Sequence, residues 1–146
     1  MTTAFTGRCL CGAVSYSVEA EPGVVGDCYC TDCRRTSGTS HCTHAVIPES
    51  ALTVTGEPTF YERAADSGNV VRRGFCGRCG SAIYSTNLGM PGMAFIRVSS
   101  MDDPDRAVPQ MTVYASRAPS WAQVNRSYPV FETMPQGGPE SVLPET

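Results

Sequence analysis

The sequence predicts a mainly β domain of short strands, with its chemistry carried on turns. Three observations predict it. The 146 residues include 14 glycines and 11 prolines, enough to interrupt the chain every few residues. The apolar residues alternate in short runs and show no long helical period. The eight cysteines fall in tight groups between those runs. A chain of this length can build a true hydrophobic core, since about two-thirds of its unfolded surface is buried on folding. Residues 1–136 are read as one domain. Residues 137–146, with little apolar content, are read as a disordered tail.

Residues 13–18 alternate as a half-buried strand. Pro22, Gly23 and Gly26 mark 21–26 as a turn. Between Thr31 and Gly38 there is room for one helical turn, capped by Thr31 or Asp32. Strands follow at 43–47 and 51–55, broken by Pro48-Glu49-Ser50. Beyond the turn at Gly56-Glu57-Pro58, residues 60–63 and 69–75 pair as strands across a polar loop at 64–68. Strands are expected at 82–85, 93–98 and 111–115, and a short helical turn around Trp121.

The net charge of −3 offers no basic excess for a phosphate backbone, so nucleic acid is not an expected partner. No run approaches the roughly 18 apolar residues of a membrane helix. Met1 to Arg8 lack the apolar centre of a signal peptide. The expected location is therefore the cytoplasm, where thiols stay reduced and cysteine groups point to metal or catalysis rather than disulfides.

The cysteines form a Cys9-x-Cys11 pair, a Cys28-x-Cys30-x-x-Cys33 triplet, a lone Cys42 and a Cys76-x-x-Cys79 pair. Residues i and i+2 of a strand face the same way, so Cys9 and Cys11 can meet one ion. Cys76-Gly77-Arg78-Cys79-Gly80 is a zinc-knuckle pattern, whose tight turn brings two thiolates to tetrahedral spacing. Together the pairs predict a four-cysteine structural zinc site. Four thiolates on a divalent ion leave a charge of −2, which Arg8 and Arg78 beside the ligands can offset. A thioredoxin-like dithiol is the rival reading of the pairs, but the glycine-rich, β-like context argues against it.

The triplet can cap a second ion from one side only. Water or substrate at the fourth corner makes that site catalytic, and a protein ligand makes it structural. Cys42 and His41 are the nearby candidates for that corner, with His44 behind them. Their ordinary alternatives are a small buried hydrophobe for Cys42 and strand residues for the histidines. A third reading makes the triplet a redox sensor.

The segments Gly7-Arg8-Cys9-Leu10-Cys11-Gly12-Ala13-Val14, Cys28 to Gly38, Phe75 to Ser81, Ala118 to Trp121 and Phe131 to Pro135 carry a resemblance. They resemble the glutathione-dependent formaldehyde-activating enzyme / centromere protein V family over residues 6 to 135. The resemblance implies an Mss4-like fold of small antiparallel sheets around a structural zinc, with few short helical turns. It implies two zinc ions per chain, one on Cys9, Cys11, Cys76 and Cys79, the other on Cys28, Cys30 and Cys33 at the active site. It implies a carbon–sulfur lyase that makes or cleaves an S-hydroxymethyl adduct, with a small thiol such as glutathione and a small aldehyde as partners. Arg34 and Arg35 are the candidate substrate-binding residues, with Arg72 and Arg73 further forked donors for carboxylates. Tyr29 and Tyr84 are the candidate proton donors. The sequence departs from the family at Tyr29, where histidine is frequent, at His41-Cys42, where apolar residues are commoner, and at Ser120, which separates Pro119 from Trp121. A non-catalytic two-zinc module that binds a protein partner remains the alternative, and exposed β edges leave a homodimer open.

Overall fold

The computed structural model describes residues 2–135, so the tail expected at 137–146 lies outside the described residues. The elements run β1 (Phe5–Arg8), β2 (Ser15–Val18), β3 (Val25–Cys28), α1 (Thr31–Arg35), β4 (Cys42–Pro48), β5 (Leu52–Thr55), β6 (Thr59–Ala64), β7 (Val70–Phe75), β8 (Ala82–Asn87), β9 (Met93–Arg97) and β10 (Met111–Val113). The described chain is mainly β, as the sequence predicts. Among the described residues, no helix is long and apolar enough to cross a membrane.

The chain divides into two compact units. Among the described residues, one comprises 2–23 together with Ala45–Ala107, the other Val24–His44 together with 108–135.

In the first unit, β1, β2 and β5 form an antiparallel sheet in that order. Alternation sets its inner face: Phe5, Tyr16 and Val18 are buried while Thr6, Ser15 and Ser17 point outward. Gly7 faces Tyr16 across the ladder, where a side chain at Gly7 would meet the tyrosine hydroxyl at 2.2 Å. The buried Tyr16 hydroxyl instead bonds Ser100 Oγ at 2.7 Å. A β6–β7–β8–β9 meander supplies the rest of this unit. Its core is Ile83 and Ile96, with Ile47 at the end of β4, each buried side chain contributing about 1.5–3 kcal/mol. The expected pairing of 60–63 with 69–75 is present as the β6–β7 hairpin, with β6 one residue longer at each end, so that Thr59 pairs with Phe75 and Ala64 with Val70. A register shift at Gly74/Phe75 lets Phe75 pair with Ala82, bending β7 where it delivers Cys76.

In the second unit, β10 pairs with β3 in parallel, Met111 against Gly26 and Val113 against Cys28. β3 is an addition to the expected fold, because 21–26 reads as a turn. Gly26 packs closely there: a Cβ would lie 3.2 Å from Met111 Cγ, so the methionine would have to shift by a few tenths of an ångström. The segment around Trp121 forms only a turn, closed by Ala122 N–H to the Pro119 carbonyl, and the indole is largely exposed.

Gly56 closes the turn before β6 at a φ of +90°, with its Cα facing the Ala13 carbonyl. A Cβ would sit 2.1 Å from that oxygen. Gly56→Ala is therefore expected to cost about 1–3 kcal/mol from the backbone conformation alone, with the clash added to it. A lower denaturant midpoint checks this, and an unchanged midpoint contradicts it.

Candidate functional site

All eight cysteines are free thiols. In the first unit, Cys9, Cys11, Cys76 and Cys79 bring their sulfurs within 4.8 Å of one another. Two Sγ–Sγ distances, Cys9–Cys11 and Cys11–Cys76, are 3.7 Å. A tetrahedral ion with metal–sulfur bonds of about 2.3 Å needs edges of about 3.8 Å. The donor set therefore fits a zinc ion in both chemistry and spacing.

Two glycine-terminated turns build this geometry. Cys9 and Cys11 follow the end of β1 rather than lying on a strand. The Cys9 carbonyl accepts from Gly12 N–H, and Gly12 takes a φ of +82°. Convergence thus comes from a turn, which can aim two sulfurs one residue apart as well as a strand can. In the knuckle, Gly80 also takes φ +82°, its N–H closing on the Cys76 carbonyl at 2.7 Å. Val14 N–H donates to Cys9 Sγ at 3.2 Å.

Ser81 is a residue the sequence reading did not single out. Its oxygen accepts from Leu10 N–H at 3.0 Å, leaving its hydroxyl hydrogen for Cys79 Sγ at 3.2 Å. One side chain thus ties the first cysteine turn to the knuckle. The Ser81 hydroxyl and amide, with a Cys11 backbone contribution, hold the Cys79 thiol down at about 5. At Cys11 the Ala13 N–H acts downward, but burial and the neighbouring sulfurs prevail and push it up to about 11.

The second unit gathers Cys28, Cys30 and Cys33, again with their sulfurs within 4.8 Å. Cys28 ends β3. Cys30 caps α1: its sulfur accepts from Cys33 N–H at 3.3 Å, the role expected of Thr31 or Asp32. An N-cap and the residue three further on share one side of a helix start, so Cys30 and Cys33 meet. Three adjacent thiols cannot ionise together unaided. The Cys30 sulfur pushes Cys28 up to about 12, opposed by Cys33 and reinforced by burial. The sulfurs of Cys28, Cys30 and Cys42, with burial, raise Cys33 further still. A divalent cation relieves that repulsion, so this donor set also fits a metal ion.

Of the residues near the fourth corner, Cys42 and His44 converge on Cys33. His41 turns away, stacking on Tyr29 with ring centroids 4.9 Å apart and placing Nε2 3.7 Å from Asp27. Asp27 is a second residue the sequence reading missed. Its buried carboxylate accepts from Thr43 Oγ1 at 2.6 Å and Tyr128 OH at 3.1 Å. An acidic residue beside a metal-spaced cysteine was the available signal.

Arg34 and Arg35 lie on α1 with Cys33, Arg34 half-buried and Arg35 exposed. Arg72 stands over the Phe60 ring at 3.6 Å and pairs with Glu62 at 3.3 Å in the first unit. Tyr84 packs edge-on against the same Phe60. Burial raises both Tyr29 and Tyr84, so each keeps its proton at neutral pH.

The sequence matches the family model described as "Glutathione-dependent formaldehyde-activating enzyme" over residues 4–117. The chain belongs to that family. A Halomonas elongata relative named "Putative glutathione-dependent formaldehyde-activating enzyme" is 29% identical over 124 residues, covering 81% of this chain and 79% of the relative. A crystal structure of a Rhodobacter sphaeroides protein aligns with TM-score 0.56 at 22% identity, over 86% of this chain and 98% of that one, and shows the shared fold. The match to the glutathione-dependent formaldehyde-activating enzyme family spans both cysteine pairs and the triplet.

Proposed function

We propose that the protein is a zinc-dependent carbon–sulfur lyase that forms or cleaves the S-hydroxymethyl adduct of a small thiol such as glutathione. Two zinc ions serve this reading. Cys9, Cys11, Cys76 and Cys79 would hold a structural ion, and Cys28, Cys30 and Cys33 a catalytic one. The observation that carries it is the three-sulfur set on one short segment. Among the described residues, no further histidine, cysteine or carboxylate donor lies within 4.8 Å of all three. A tetrahedral ion held by three protein sulfurs can accept a substrate thiol as its fourth ligand.

Bound there, zinc would supply a lowered thiol pKa and so a thiolate at neutral pH. The chain's own residues do the rest. The trio fixes where the sulfur sits, and confinement supplies the entropic advantage of a bimolecular addition. Arg34 and Arg35 bind the carboxylates of the thiol as forked donors. In the addition, one carbon–sulfur bond forms, the carbonyl π bond opens, and a proton ends on the former aldehyde oxygen. Tyr29, which retains its proton, is the donor candidate in the same unit. A reducing cytoplasm suits a site made of thiols.

The test is direct. Zinc-loaded protein is mixed with glutathione and isotopically labelled formaldehyde, and exchange between free aldehyde and adduct is followed by NMR. Exchange well above the buffer rate is expected. A rate equal to buffer overturns the reading and leaves a non-catalytic two-zinc module.

A further inference from the structure

Cys33 takes part in two convergences. Besides the trio, its Sγ lies 3.6 Å from Nε2 of His44, and the donors of Cys33, Cys42 and His44 are all within 4.8 Å of one another. Cys42 and His44 stand at alternate positions of β4, the spacing that sends two side chains to one face. Cys42 is buried, and its S–H donates to the Cys33 carbonyl at 2.9 Å.

We propose that Cys33, Cys42 and His44 form an additional metal position for a zinc-like ion, sharing the Cys33 thiolate with the trio so that two neighbouring ions are bridged by one sulfur. This rests on reading the trio as a metal site. Three arguments support it. The first is spacing: a tetrahedral ion with bonds of about 2.3 Å to sulfur and about 2.0 Å to imidazole needs a sulfur–nitrogen edge of about 3.5 Å. The observed 3.6 Å matches that edge.

The second is exclusion. One tetrahedral ion takes four donors at mutual distances near that edge, and the five here fall into two overlapping groups, not one. Cys42 and His44 therefore do not simply close the trio.

The third is charge. Three thiolates on one divalent ion carry −1, whereas four thiolates on two divalent ions are neutral, the cheaper state where Cys28, Cys33 and Cys42 are all buried. Binding is a proton exchange with no redox step. Cys42 gives up its thiol proton to solvent and releases the Cys33 carbonyl. His44 binds as neutral imidazole through Nε2, with its proton on Nδ1. The competing account makes Cys42 a small buried thiol that only caps a carbonyl.

Native mass spectrometry of the full, reduced chain titrated with Zn²⁺ decides between them. The wild-type chain is expected to reach three ions, and the Cys42→Ser/His44→Gln variant two. With ¹¹³Cd²⁺ in place of zinc, two of the three resonances should show mutual coupling through the shared sulfur, lost in the variant. If the double variant does not fold, His44→Gln alone, which leaves Cys42 in place, should still remove that coupling. Saturation of the wild type at two ions leaves the trio intact and overturns the additional position. Saturation at one overturns both, and three ions in a folded double variant also overturn it.

Discussion

Replacing Cys76 by serine is expected to abolish the soluble, folded protein. Cys76, the residue that follows β7, is 1% exposed, with Cys11 Sγ 3.7 Å away. A serine oxygen is a poor zinc ligand, and a buried hydroxyl left among three sulfurs adds its own penalty. Structural zinc contributes on the order of 10 kcal/mol in small systems. A domain's whole stability is about 5–15 kcal/mol. Losing the ion therefore removes most or all of the margin. Soluble yield, far-UV circular dichroism and zinc content measure the outcome. A soluble variant melting with the wild type would remove the structural role from this site.

Cys30→Ser should behave in the opposite way, keeping the fold and losing the function. The reason lies in α1. Cys30 caps that helix through its side chain, and serine is among the preferred capping residues, so Ser Oγ can accept the Cys33 N–H in place of sulfur. A metal held by the trio would lose one of its three thiolates, which a hydroxyl does not replace at neutral pH. The expected variant melts within a few degrees of wild type, binds less zinc in the second unit, and exchanges formaldehyde with glutathione at the buffer rate. Should it prove as unstable as Cys76→Ser, the division into structural and catalytic sites is wrong.

The sequence reveals local features well and long-range ones poorly. The β6–β7 hairpin is legible because two short runs carrying aromatic and β-branched residues, Phe60-Tyr61 and Val70-Val71, flank a polar loop that ends in a glycine. β3 is hidden because Gly26 and Asp27 are poor strand formers. Their reasons are tertiary: Met111 lies against Gly26, while Thr43 and Tyr128 bond Asp27. The donor groups follow the same rule. Cys-x-Cys, Cys-x-Cys-x-x-Cys and Cys-x-x-Cys spacings announce themselves, because one turn brings each group together. Which histidine would approach the triplet is not legible. His41 and His44 differ by three positions on or beside β4, and only the folded chain turns His41 to Asp27 and His44 to Cys33. The capping sulfur of Cys30 escapes propensity rules, which favour the oxygen-bearing Thr31 and Asp32 beside it.

The Ser81 hydroxyl, held between an amide of one loop and a sulfur of the other, implies that the two halves of the four-sulfur cage are registered by the protein itself. A chain whose loops are aligned in advance spends little ordering entropy when the ion arrives. Capture then becomes a matter of shedding protons rather than of searching for partners.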